Sequence, residues 1–169
     1  MDVYKAVRTV LAVRQYQDKP VPPEVVHRIL AAAHLTASSM NQQPWRFILV
    51  DDREMLKRLA EAAHTGPYIA GAALAVVVVV ENTRFAVSDG SRAIQDMILT
   101  AWEEGVGSNW VGFIDMEAVK PLLGIPPEMK VLSVVPFGYP AKKVGQGHKN
   151  RKPFNEVVFH GQFGAPYKP

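Results

Sequence analysis

Ala73-Leu74-Ala75-Val76-Val77-Val78-Val79-Val80 carries no polar side chain at any position. A strand with one wet face alternates apolar and polar residues. An unbroken, β-branched run therefore predicts a strand covered on both faces, at the centre of a sheet. The apolar stretch that contains it, Ile69 to Val80, is twelve residues long. A helix needs roughly twenty to span a bilayer, so the run reads as a buried strand and its approach.

Around that strand the pattern is mostly helical. Val3 to Val13 places Val3, Ala6, Val7, Val10 and Leu11 on one face of a short helix. The Pro-rich Lys19–Pro23 segment stops it and opens a second helix, over Glu24 to Leu35. Arg46 to Val50 reads as a strand, Arg53 to His64 as a helix broken by Thr65-Gly66-Pro67, and Ser91 to Glu104 as a largely apolar helix ended by Gly105. Trp110 to Ile114 is extended, Met116 to Leu123 helical, and Val131 to Phe137 a last strand. With 169 residues, 48% of them hydrophobic, the chain is one domain with a real core. The expected class is α+β, residues 1–169 in one unit, with 142–169 an extended tail whose Val157, Val158, Phe159, Phe163 and Tyr167 need a surface to lie on.

Chemistry is constrained by what is missing. The chain has no Cys, which removes thiolate catalysis, zinc–sulfur sites and disulfides. Its five His are scattered without a carboxylate at ligand spacing, so no metal is expected. Neither Gly105-Val106-Gly107 nor Gly145-Gln146-Gly147 sits in the strand–turn–helix context of a nucleotide-binding loop, and Ser38 and Ser39 lack a Gly-x-Ser-x-Gly elbow. Met1-Asp2-Val3-Tyr4-Lys5 opens no basic-then-apolar leader, so the expected location is the cytoplasm, with no membrane partner.

Two stretches remain that could bind something. Ser38-Ser39-Met40-Asn41-Gln42-Gln43-Pro44-Trp45 gathers uncharged donors and acceptors in one loop, a chemistry suited to a polar heterocycle, although Ser and Asn also favour helix ends and turns. Lys142, Lys143, Lys149, Arg151 and Lys152 form a cluster of five cations without an acid, fit for a phosphate or a solvated tail. No aromatic residue interleaves the cluster before Phe154, which argues against nucleic acid.

In order along the chain, Val13-Arg14-Gln15-Tyr16, the Ser38–Trp45 block, Gly105-Val106-Gly107-Ser108-Asn109-Trp110-Val111-Gly112, Phe137-Gly138-Tyr139-Pro140 and Arg151-Lys152-Pro153 resemble the FMN-dependent nitroreductase family over nearly its whole length. The resemblance implies a mostly antiparallel sheet flanked by helices, in an intertwined homodimer with FMN at the subunit interface. It implies that Ser38, Ser39 and Asn41 contact the flavin from the partner subunit, and that Arg14 lies by its pyrimidine side. Val111 and Gly112 then back its hydride-accepting edge, and Lys149 and Arg151 clamp the phosphate. NAD(P)H is the implied electron donor, and a nitroaromatic, quinone or similar small molecule the acceptor. No protein group then need act as acid or base.

One departure stands out. Where the family carries Arg-Arg-Ser, this chain has Val10-Leu11-Ala12, and polar contacts to the phosphate and ribityl chain are lost. Arg8, about one helical turn earlier, is a candidate replacement. The departure keeps a second reading open, a flavin-binding protein with little turnover. A specialised flavin reaction and a basic nucleic-acid-binding dimer are further alternatives.

Overall fold

The computed structural model describes residues 2–112, 116–142, 144 and 149–168. Ile114, Lys143, Gly145-Gln146-Gly147 and His148, which figure in the sequence reading, lie outside the described residues. The helices are α1 (Val3–Thr9), α2 (Pro23–Leu35), α3 (Arg53–Ala62), α4 (Ala86–Glu103) and α5 (Val119–Leu123). The strands are β1 (Trp45–Val50), β2 (Leu74–Val80), β3 (Gly107–Ser108) and β4 (Lys130–Gly138).

The strands form one sheet in the order β1-β2-β4-β3, and every named pairing is antiparallel. β2 is central, as its composition demands, and all its side chains are buried. Alternate residues point to opposite faces. Leu74, Val76, Val78 and Val80 join α2 and α4 through Ile29, Ala33, Ile94, Met97 and Ala101. Ala75, Val77 and Val79 join α3, α5 and the Pro67–Gly71 turn through Leu56, Leu59, Val119 and Ile69. Helices thus cover both faces of the sheet. Each fully buried Val is worth about 1.5–3 kcal/mol over an exposed one, so the Val76–Val80 run is a main tie between the two half-cores.

A bulge breaks the β2–β4 register. Val78 pairs with Ser133 and Val79 with Val131, which leaves Leu132 unmatched. It lies beside the isolated bridge between Val111 and Val134, so the bulge and the start of the Val111-Gly112 segment are built together.

The first helix is shorter than the sequence pattern suggests. It ends at Thr9, and Val10 has an extended ψ of 132°. The chain then runs along the sheet edge: Ala12 bridges Ser108, Tyr16 bridges Pro140, and the Val13 N–H donates to the Ser108 carbonyl at 2.8 Å. Apolar spacing at Val10, Leu11 and Val13 continues a helical rhythm, but Val13 spends its side chain against Gly107, where a Cβ would collide with it. Helix α4 also begins earlier than its apolar pattern, at Ala86, and ends at Glu103, with Gly105 at φ +74° just beyond its cap.

Candidate functional site

The sequence candidates fall into three groups. The first surrounds Arg14. Its guanidinium carbon lies 5.8 Å from the ring centroid of Tyr68. The Tyr68 hydroxyl accepts a 2.6 Å hydrogen bond from the Asn109 amide, which also donates to the Trp110 carbonyl at 3.0 Å. Among the described residues Arg14 has no carboxylate partner, and the nearby Asp18 is paired with Arg53 at 3.0 Å. The Arg14 side of this group opens into a cavity of about 280 Å³, lined by Ala12, Arg14, Gln15, Pro140 and Lys142.

Val111 and Gly112 continue the same group. Val111 exchanges backbone hydrogen bonds with Val134, at 3.0 and 2.9 Å, and its carbonyl takes a further bond from the buried Ser133 hydroxyl at 2.9 Å. The segment is held rigidly. Gly112 is forced by packing within the chain itself: a Cβ there would stand 2.6 Å from Trp110 Nε1 and 2.9 Å from the bulged Leu132 carbonyl. Tyr16, below Arg14, donates to the Val13 carbonyl at 2.7 Å. Burial pushes its phenol pKa up, Tyr68 adds to the rise, and Arg14 opposes it.

The second group is the polar loop. Met40, Asn41 and Gln43 all have left-handed backbones, with φ of 53°, 54° and 50°. For residues other than Gly such conformations cost on the order of 1–3 kcal/mol each and persist only where the surroundings impose them. The restraints are visible. The Ser39 N–H and hydroxyl donate to the two carboxylate oxygens of Asp89, each at 3.0 Å. The Gln43 N–H donates to Ser38 Oγ at 2.9 Å, and the Gln43 amide donates to Asn41 Oδ1 at 3.2 Å. Thr36 donates to Asp96 at 2.7 Å, so two carboxylates of α4 hold the loop and its approach. Ser39 has spent its proton inside the chain. Ser38 accepts and keeps its O–H to donate, and the Asn41 Nδ2 group has no partner among the described residues. Asp89 itself escaped the sequence reading, which began this helix at Ser91 and so left Asp89 outside it.

The third group is basic. Lys149 Nζ donates to the Val7 carbonyl of α1 at 2.6 Å, close to Arg8 in the last turn of that helix. Burial lowers the Lys149 pKa, and the Arg151 charge lowers it further. Among the described residues Arg151 bonds to the Asn150 carbonyl, at 2.9 Å, and its side chain is exposed. Beyond it the tail makes a small hairpin of its own, with Phe159 bridging Pro166 and Phe159 against Phe163 at 4.9 Å between ring centroids. Phe163 remains 94% exposed.

Among the described residues no hydrogen bond or ion pair joins the polar loop to Arg14 or to the basic group, although Gly112 lines one cavity with Val87 at the start of α4. The polar loop is fixed at Asp89, near the start of α4, whereas the N-terminal segment meets α4 where Trp102 donates to Thr9. Thirteen residues of helix separate the two anchors, roughly 20 Å at 1.5 Å per residue. Trp45 is buried in the core, while Trp110 is 39% exposed. Among the described residues no helix is long and apolar enough to cross a membrane.

The antiparallel sheet, its flanking helices and the ordered motifs point to one class, and the family model of the nitroreductase family matches residues 8–89 and 80–139. The chain belongs to the nitroreductase family and is an oxidoreductase of that class. A provisionally named NADH dehydrogenase/NAD(P)H nitroreductase from Methanothermobacter thermautotrophicus is 36% identical over 154 residues, covering 86% of this chain and 81% of its own. The structure of an FMN-dependent nitroreductase from Clostridium difficile superposes with a TM-score of 0.87 at 25% identity, covering 95% of this chain and all of that one. An NADPH:FMN oxidoreductase from Vibrio harveyi, solved with NAD+, shares the fold at a TM-score of 0.83 and 23% identity, over 95% of this chain and 77% of its own.

Proposed function

We propose that this chain is an FMN-dependent oxidoreductase of NAD(P)H, working as a homodimer whose cofactor sites are built from both subunits. The observation that carries the reading is the donor chemistry of the loop. Ser38 O–H and Asn41 Nδ2 offer neutral donors in a strained, fixed backbone, which suits the carbonyl acceptors of a flavin pyrimidine. Among the described residues no hydrogen bond or ion pair joins this loop to Arg14, which fits a site completed by a second copy.

When bound, FMN supplies hydride chemistry between NAD(P)H and a nitroaromatic, quinone or similar small acceptor. The chain's own part is binding and electrostatics. Arg14 offers positive charge where the reduced cofactor gathers negative charge. Val111 and Gly112 present a backbone fixed by Val134 and Ser133. Lys149 and Arg151 hold the phosphate, Arg151 more freely, because Lys149 is already engaged with Val7. Arg8 is placed near that pair by the Val7 contact and assists it.

A second reading has its own support. Val10, Leu11 and Ala12 offer no polar side chain, and Ala12 is fixed to Ser108, so this segment cannot turn another group toward a phosphate. A flavin held more weakly, with little turnover, fits that. The test is the visible spectrum of the purified protein with steady-state NADPH and NADH oxidation. About one FMN per subunit with acceptor-dependent turnover supports the oxidoreductase. Bound flavin without turnover selects the second reading, and a colourless chain that refuses added FMN defeats both.

A further inference from the structure

We infer that Asp89 is a positioning residue, whose carboxylate holds the Ser38–Asn41 loop in the left-handed form that receives the cofactor. The inference rests on the flavin reading above and goes beyond it to a residue that does not itself face the site. Asp89 is fully buried, yet it is not paired by a buried cation. Its near charge is Arg92 at 3.4 Å, a residue whose side chain is 56% exposed. Two of its partners are the N–H and the hydroxyl of Ser39, each at 3.0 Å.

A buried carboxylate with few alternatives must keep its donors, because losing them leaves a desolvated charge unmatched. The requirement runs both ways. Ser39 is held to α4, and the next two residues, Met40 and Asn41, are forced to φ of 53° and 54°. The position of Asp89 in the first turn of α4 also sets its carboxylate at the favourable end of the helix dipole. Asp96, seven residues on and so on the same face, repeats the device by accepting from Thr36 at 2.7 Å. The loop is therefore pinned at two points to one helix. Its outward donors, Ser38 and Asn41, take their places from that pinning.

Asp89→Asn tests this. The amide keeps the shape but sets an N–H₂ group against one of the two Ser39 donors. In the cofactor-free protein, amide hydrogen exchange at Ser39 to Asn41 should rise at least about tenfold, while Ile94 and Met97 in the interior of α4 keep their protection. FMN affinity, read by quenching of flavin fluorescence, should weaken by about tenfold or more. Ser39→Ala should weaken it less, and adding that change to Asp89→Asn should weaken it no further, because both act through one contact. Ser39→Ala carries the exchange test alone if the Asn variant does not fold.

Unchanged loop exchange in both variants would overturn the inference. Faster loop exchange with undiminished FMN affinity would overturn the link to the cofactor. A parent chain that takes up no FMN would instead defeat the flavin reading, and this inference with it.

Discussion

Gly112 and Trp110 share one space: the position a Cβ would take on residue 112 is 2.6 Å from the Trp110 indole nitrogen. The Leu132 carbonyl stands 2.9 Å from the same point on another side, so the indole cannot simply yield. Gly112→Ala should cost about 1–3 kcal/mol, as overpacking does in tight sites. Chemical denaturation would measure it. A midpoint unchanged from the parent would mean that the segment moves more easily than its bonds to Val134 and Ser133 imply.

How much of this was legible in the sequence depends on what fixed each residue. β2 could be read because burial on both faces leaves its own mark, an absence of polar side chains. The end of α1 could not, because Val10, Leu11 and Val13 keep helical spacing while Val13 packs on Gly107, and a sheet-edge contact made about a hundred residues away leaves no local trace. The polar loop was visible as composition, but its conformation was not. Three left-handed residues among the four from Met40 to Gln43 are imposed by Asp89 and Ser38, and neither residue carries a signal of that role. The same holds for Ser39, which faced the cofactor in the sequence reading and is turned to Asp89 in the structure.

Tyr16 makes stability depend on alkaline pH. Burial raises its phenol pKa above the ordinary value near 10, so the folded chain keeps the proton where the unfolded chain would lose it. The stabilisation is complete below about pH 10 and is lost as pH rises above that value. Tyr16→Phe removes the bond to the Val13 carbonyl and should cost about 1 kcal/mol at neutral pH. Its deficit against the parent should shrink above about pH 10. A constant deficit across that range would rule out the buried phenol as the source.

The basic group should distinguish ligands by their phosphate. Arg151→Ala should weaken FMN binding by about tenfold or more and leave riboflavin, which has no phosphate, nearly untouched. Lys149→Ala should act in the same direction, with an added cost in stability from the freed Val7 carbonyl. Arg8→Ala tests the replacement for the absent Arg-Arg-Ser. Equal losses for FMN and riboflavin would place these cations somewhere other than the phosphate.

The tail gives the last prediction. Phe154, Val157, Phe163 and Tyr167 are 63%, 55%, 94% and 43% exposed, so the hairpin leaves most of its apolar surface uncovered. Inside the hairpin the rings meet in pairs, Phe154 with Tyr167 at 6.1 Å and Phe159 with Phe163 at 4.9 Å between centroids. Neither covers the outer face of Phe163, and exposed apolar area on that scale calls for a second surface. If the partner subunit provides it, truncation before Asn155 removes that contact and opens the interface. The shortened chain should run as a monomer or aggregate in size-exclusion chromatography and lose its FMN on the column. A truncated protein that stays dimeric and yellow would show that the dimer is held elsewhere, with the exposed faces of α1 and α2 at Val3, Tyr4 and Leu35 the next surface to disrupt.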